Sequence, residues 1–219
     1  MLNKFQEIEL VLVRANEHLE WLRKYVVHPN PDLVPEKDGW IVEEPMDIFG
    51  GNVRIRIGDF AATLRNALNY LACLFAEQDS GSVGKRVQFP IEDSPKSFAG
   101  QRPVYLKGVA DPHVAAIERF QPYNTGDWIK DIQTFSNWYR HSGLIKVQKQ
   151  FQRPERFSTP SETYWQGSIK VEMNREFFAA ISLEDGRPVV QTLEELHRRV
   201  REVTDQLRPF LVKYVIHKP

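Results

Sequence analysis

The sequence predicts a mainly α fold: a bundle of about four long helices with a small β appendage. Three observations carry this expectation. Four segments space their apolar residues alternately by three and four, the signature of one buried helical stripe. Short β-like runs fall between them without alternating regularly with helices, which argues against a doubly wound sheet. The composition is ordinary for a globular chain, with 42% hydrophobic, 11% aromatic and 26% charged residues over 219 positions.

The first helix is read over 4–27 from Phe5, Ile8, Leu12, Ala15, Leu19, Leu22 and Val26, and His28-Pro29-Asn30-Pro31 ends it. Trp40-Ile41-Val42 and 52–57 read as strands about a hairpin turn at Gly50-Gly51-Asn52, because Val53, Ile55 and Ile57 alternate with Arg54 and Arg56. A second helix over 58–77 carries Ala61, Leu64, Leu68, Leu71 and Phe75; as the most apolar helix it belongs at the centre. Residues 78–84 have loop composition, and 89–103 read as irregular. Asp111-Pro112 opens a short helix that Gln121-Pro122-Tyr123-Asn124 stops.

A third long helix is predicted over 127–142, with Trp128, Ile132, Phe135 and Tyr139 as its stripe and Gly143 as its C′ residue. Residues 164–173 and 177–183 alternate like strands, Glu184-Asp185-Gly186-Arg187 is a tight turn, and Pro188-Val189-Val190 comes after it. The last helix, 192–214, starts at a capping box of Thr192 and Glu195 and carries Leu193, Leu196, Val200, Val203, Leu207, Phe210 and Tyr214; Pro209 is placed to kink it. The expected organisation is one domain over 1–219 with β excursions near 40–57 and 164–190.

Charge excludes little. Lys plus Arg equals Asp plus Glu at 29 each, so no overall field selects a nucleic acid or a membrane, although a local basic patch stays open. Cys73 is the one cysteine, and in an apolar helix it reads as a small buried hydrophobe. The six histidines are scattered without ligand spacing, so no metal site is expected, and no glycine-rich phosphate cradle or nucleophile elbow signals a cofactor or a hydrolase. No secretion signal or membrane-spanning run is visible, so a cytoplasmic location is expected.

Two polar constellations interrupt the helical stripes. Arg65 and Asn69 share a face of the second helix at i,i+4, with Asn66 one position round. Asn137 and His141 share a face of the third, beside Arg140. Each pair has a structural reading, as a bridge between helices or a solvated stripe continuing Lys130 and Thr134. Each also has a chemical one: a helical imidazole beside a guanidinium can hold a phosphate or take a proton near neutral pH.

Ile57-Gly58-Asp59-Phe60 followed by Leu64-Arg65-Asn66-Ala67-Leu68-Asn69-Tyr70-Leu71 resembles a bacterial family whose helix reads IGD-x-x-x-x-LRSALDHL. Phe89-Pro90-Ile91, then 117–123, then Ser136-Asn137-Trp138-Tyr139-Arg140-His141 match its later motifs in order, over roughly 57–145. That family is similar to the HEPN helical bundles, which include metal-independent RNases of toxin–antitoxin and phage-defence systems and also non-catalytic binding modules. The resemblance implies RNA or a nucleotide as partner and a site shared across a homodimer. It also implies a catalytic set of His141, Arg65 and Arg140, with Asn66, Asn69 and Asn137 contacting substrate. The HEPN signature, Arg followed after four to six residues by His, is incomplete: Tyr70, Leu71 and Ala72 stand where the partner of Arg65 would fall, and no Arg lies at 134–136 ahead of His141. The one strict match, Arg23 to His28, lies outside the resembling segment. Two readings result: a protein acting on or binding RNA, as a metal-independent endoribonuclease, and a non-enzymatic protein- or nucleotide-binding or dimerisation module.

Overall fold

The computed structural model describes residues 4–26, 32–36, 39–43, 51–141, 147–152, 162–166, 169–173 and 178–211. Four long helices form the body: α1 (Lys4–Val26), α2 (Gly51–Ser80), α6 (Trp128–His141) and α7 (Val189–Leu207). Three short helices, α3 (Pro95–Tyr105), α4 (Asp111–Glu118) and α5 (Pro122–Thr125), connect α2 to α6.

The long helices pack because each has one apolar stripe to hide. Phe5, Ile8, Leu12, Leu19 and Leu22 of α1 are buried, as are Leu64, Leu68, Leu71 and Phe75 of α2, Ile132 and Phe135 of α6, and Leu196, Val200 and Leu207 of α7. Fully burying one such side chain contributes about 1.5–3 kcal/mol. Helix α2 packs against α1, α6 and α7 and so takes the central place its apolar composition predicts. Helix α7 also meets α1 and α6, which closes the bundle.

Four segments depart from the sequence reading, one of them 164–173, which is divided between two antiparallel strands over 162–166 and 169–173 in place of one. Residues 52–57 are not a strand, and no hairpin turn occupies 51–52: both positions belong to the first turns of α2, while Gly50 lies outside the described residues. Val53 and Ile57 continue the stripe of Phe60 and Leu64 at helical spacing and are buried, whereas Ile55, which the alternation placed with them, is 37% exposed. A six-residue apolar alternation fits both periods, and only the helical one continues through Phe60, Leu64 and Leu68. Residues 95–105 are not irregular but form α3: Ser94 is its N-cap, accepting a hydrogen bond from the Ser97 amide at 3.2 Å, and Pro95 takes the first turn. Finally, α7 begins at Val189, so Thr192 is inside the helix and caps nothing; its hydroxyl donates to the Pro188 carbonyl at 2.7 Å, and Glu195 pairs with Arg198 and Arg199 instead. At the other end α7 stops at Leu207 ahead of a 3₁₀ turn, Arg208–Phe210, because Pro209 cannot continue the ladder.

Antiparallel pairs complete the described backbone. They are β1 (Asp32–Glu36) with β2 (Gly39–Glu43), β3 (Val147–Gln152) with β6 (Phe178–Leu183), and β4 (Glu162–Gln166) with β5 (Ile169–Met173). The β6–α7 turn uses Gly186 at φ +87°, a conformation that favours glycine. The readings placed on His28, Gly143 and Tyr214 lie outside the described residues. No helix among the described residues is long and apolar enough to cross a membrane.

Candidate functional site

The two polar constellations sit on α2 and α6, and these helices pack against each other. Arg65 lies within the apolar stripe between Leu64 and Leu68 and is only 7% exposed, so its guanidinium belongs to the interior of the bundle. Asn66, one position round, is exposed. Asn69 is half-buried, and its Oδ1 accepts the backbone N–H of Phe89 at 3.1 Å. This bond pins the 87–91 segment along α2 and buries Phe89 against the core.

On α6, Ser136 is buried and donates to the Gln133 carbonyl at 3.2 Å, while Asn137 is exposed. Thr134 is exposed too, and Lys130 is bonded to Asp93 at 2.6 Å and Asp127 at 2.9 Å, so 130, 134 and 137 form the solvated stripe their spacing allows. The backbone of Arg140 and His141 completes the last turn of α6; their side chains lie outside the described residues. The fold thus brings together the helices that carry the two pairs. It puts Arg65 on the buried side of α2, Asn69 against the 87–91 segment and Asn137 toward solvent.

Chemistry that the sequence spacing did not reveal lies elsewhere. Asp79, at the end of α2, accepts the Ala110 amide and Nδ1–H of His113, both at 2.7 Å. The imidazole stacks on Phe75 with ring centres 4.7 Å apart and meets the edge of Phe210. The pair fixes the start of α4 on the end of α2 and sets the His113 tautomer. Thirty-four residues separate the partners, so no local spacing could show them.

Two further histidines serve helix packing. His18 is buried, and its Nδ1 accepts from the Arg56 guanidinium at 3.2 Å, while Arg56 lies 5.2 Å above the centre of the Trp21 ring. His197 donates from Nε2 to the Leu12 carbonyl at 3.1 Å and so joins α7 to α1. Burial holds both imidazoles below their ordinary range. Cys73, expected to be buried, is partly buried and packs against the core; burial raises its thiol, which donates weakly to the Val87 carbonyl.

Between the start of α6 and the start of α7 lies a cleft of about 530 Å³ lined by Trp128, Asp131, Arg187, Gln191 and Glu195 among others. Arg187 spans it, donating to both oxygens of Asp131 at 2.5 and 3.1 Å and to Asp185 at 2.8 Å. The hydrogen bonds it donates to the Asp131 and Asp185 carboxylates hold its guanidinium charged, so this side of the cleft is an ion-paired strut between α6 and the β6–α7 turn. Among the described residues, no group of three or more His, Cys, Asp or Glu side chains is placed to hold a metal ion. Comparison of the chain with protein-family models, curated proteins and solved structures gave no match.

Proposed function

We propose that this chain is a HEPN-like bundle of a bacterial stress or phage-defence context, cytoplasmic and homodimeric, that acts on or binds RNA, its catalytic form being a metal-independent endoribonuclease. The supporting observation is the packing of α2 on α6, the two helices that carry the HEPN-like motifs. In the proposed reaction the RNA 2′-oxygen attacks the adjacent phosphorus and the bond to the 5′-oxygen breaks. A 2′,3′-cyclic phosphate and a 5′-hydroxyl result. His141 takes the proton from the 2′-hydroxyl, the leaving oxygen regains one from solvent, and Arg65 or Arg140 neutralises the pentavalent phosphorus. Asn66, Asn69 and Asn137 would orient the strand.

The test is incubation of the purified protein with total RNA in EDTA. Cleavage should persist, and His141→Ala should lower its rate by roughly 10²–10⁴, the usual loss of a general base. Unchanged cleavage in His141→Ala removes that residue from the mechanism. A wild type that cleaves nothing leaves the second reading, a non-enzymatic protein- or nucleotide-binding module. One observation favours that reading: Asn69 spends its carbonyl oxygen on the Phe89 amide, which is a packing role.

A further inference from the structure

The loop after α2 is fully exposed, every residue from Ser80 to Arg86 included. Helix α2 ends through Gly81, whose φ of +74° lets its amide return to the Glu77 carbonyl at 2.9 Å. The loop then folds back and is tied at two points, to the last residue of α3 and to the segment after it. Gln88 donates its amide to the Tyr105 carbonyl at 3.1 Å. Gly108, at φ +88°, lies so close to Ser80 that a Cβ there would stand 2.7 Å from the hydroxyl oxygen. Lys85 and Arg86 fall between the first pair of tie points, Ser80 and Gln88; Lys107 falls between the second pair, Tyr105 and Gly108. Two stretches distant in the chain, which between them carry three exposed cations, are therefore held next to each other.

None of the three makes an ion pair with a described residue, and the acids nearest in the chain are occupied. Asp79 turns to the Ala110 amide and His113, and Asp111 is paired with Arg102. Elsewhere Arg14 is balanced by Glu17, Arg23 by Glu194, Lys130 by Asp93, Arg187 by Asp131 and Arg199 by Glu195, while Arg56, Lys96, Arg119 and Arg208 stand singly without a described carboxylate at contact distance, Arg56 bonded to His18 and Arg208 over the Phe5 ring. A chain of zero net charge that pairs its cations this way and leaves three together has a local positive field there, screened beyond about 8–10 Å. Gly81 and Gly84 carry no side chains that would keep a strand away from the loop backbone. The cations are exposed on adjacent open segments, which suits a run of phosphodiesters better than one enclosed phosphate.

We infer that the 81–86 loop and Lys107 form a docking surface for the phosphodiester backbone of a nucleic-acid strand. As the place where RNA lies, this rests on the RNA reading above; as a backbone-binding surface it makes no use of the 2′-hydroxyl and takes RNA and DNA alike.

The experiment is fluorescence anisotropy of labelled U20 RNA and dT20 DNA with the full chain, in EDTA, across a KCl series. The wild type should bind both strands with similar affinity and a steep salt dependence. The triple variant Lys85→Gln, Arg86→Gln, Lys107→Gln should lose about 2 from the slope of log affinity against log salt, at about 0.7 per phosphate contact on a single strand, and at least about tenfold in affinity at low salt. Lys107→Glu alone should weaken binding in the same direction, and Arg14→Gln should not. A triple variant that keeps the wild-type slope and affinity, with RNA still bound, overturns the docking surface and leaves the RNA reading standing. Binding of neither strand by the wild type overturns both. Binding of both strands through these cations without any RNA cleavage upholds the surface and rejects the nuclease.

Discussion

Asn69 of α2 and Phe89, twenty residues later, are joined by a 3.1 Å hydrogen bond from the Phe89 amide to the asparagine Oδ1. Phe89 is wholly buried, so its backbone donor has no water to fall back on. Removing the acceptor would leave that amide unsatisfied, which costs about 1–3 kcal/mol. Asn69→Ala should therefore lower the stability measured by urea unfolding by that amount, with Asn69→Asp, which keeps an acceptor oxygen, less affected near neutral pH. A stability unchanged in Asn69→Ala would return this side chain to the candidates for substrate contact alone.

Leu68 lies one turn from Leu64 and Leu71 in the helix that touches all three other long helices, and it is fully buried. Leu68→Ala removes buried methyl groups where the surroundings cannot easily close in, and should cost about 2–5 kcal/mol. Leu10→Ala, in a residue more than half exposed on α1, should change stability by less than about 0.5 kcal/mol. Equal effects of the two would contradict the central placement of α2.

Legibility in the sequence divides along the range of the interactions. The stripes of α1, the body of α2, α6 and the body of α7 span several turns, so periodicity alone locates them and names Leu12, Leu64, Ile132 and Leu196 as core. The start of α2 reads as a strand because Val53, Ile55 and Ile57 satisfy a two-residue period for just six positions, and Ile55 is the one that packing rejects. Helix α3 falls in a stretch read as irregular, although Ser94-Pro95 is a helix start signal and Pro103 lies inside the helix. The site is less legible than the fold. Spacing at i,i+4 puts Arg65 with Asn69, but the partner of Asn69 comes from a loop, the partner of Asp79 from α4, and the companion of Lys85 and Arg86 from beyond α3. Such pairings are decided by how the chain turns between helices, and a single sequence carries little of that.

The last prediction concerns acid. Burial lowers the His18 imidazole, with the positive charges of Arg14 and Arg56 adding to it and Asp59 and Glu17 opposing; burial also lowers His197, against the hydrogen bond to Leu12 and with Arg201 and Arg23. In the unfolded chain both titrate near the ordinary 6.5. As pH falls through that value the unfolded state takes up protons that the native state refuses, so the equilibrium moves toward unfolding. Their contribution is thus complete above about pH 6.5 and is lost progressively below it, until the native imidazoles protonate as well. The carboxylates act lower. Asp185, held down by Arg187, and Glu195, held down by Arg198, support the fold above their ordinary values of 3.8 and 4.5 and cease to do so as pH falls through their depressed ones. Both are largely exposed, so their effect is small. The urea midpoint should accordingly drop between pH 7.5 and 5, before these carboxylates titrate. A His18→Gln, His197→Gln variant, in which an uncharged amide keeps hydrogen-bonding capacity at each site, should show a flatter profile across that interval. A wild-type midpoint that is level from pH 7.5 to 5, or a variant that falls as steeply, would remove the two buried histidines as the origin of acid sensitivity.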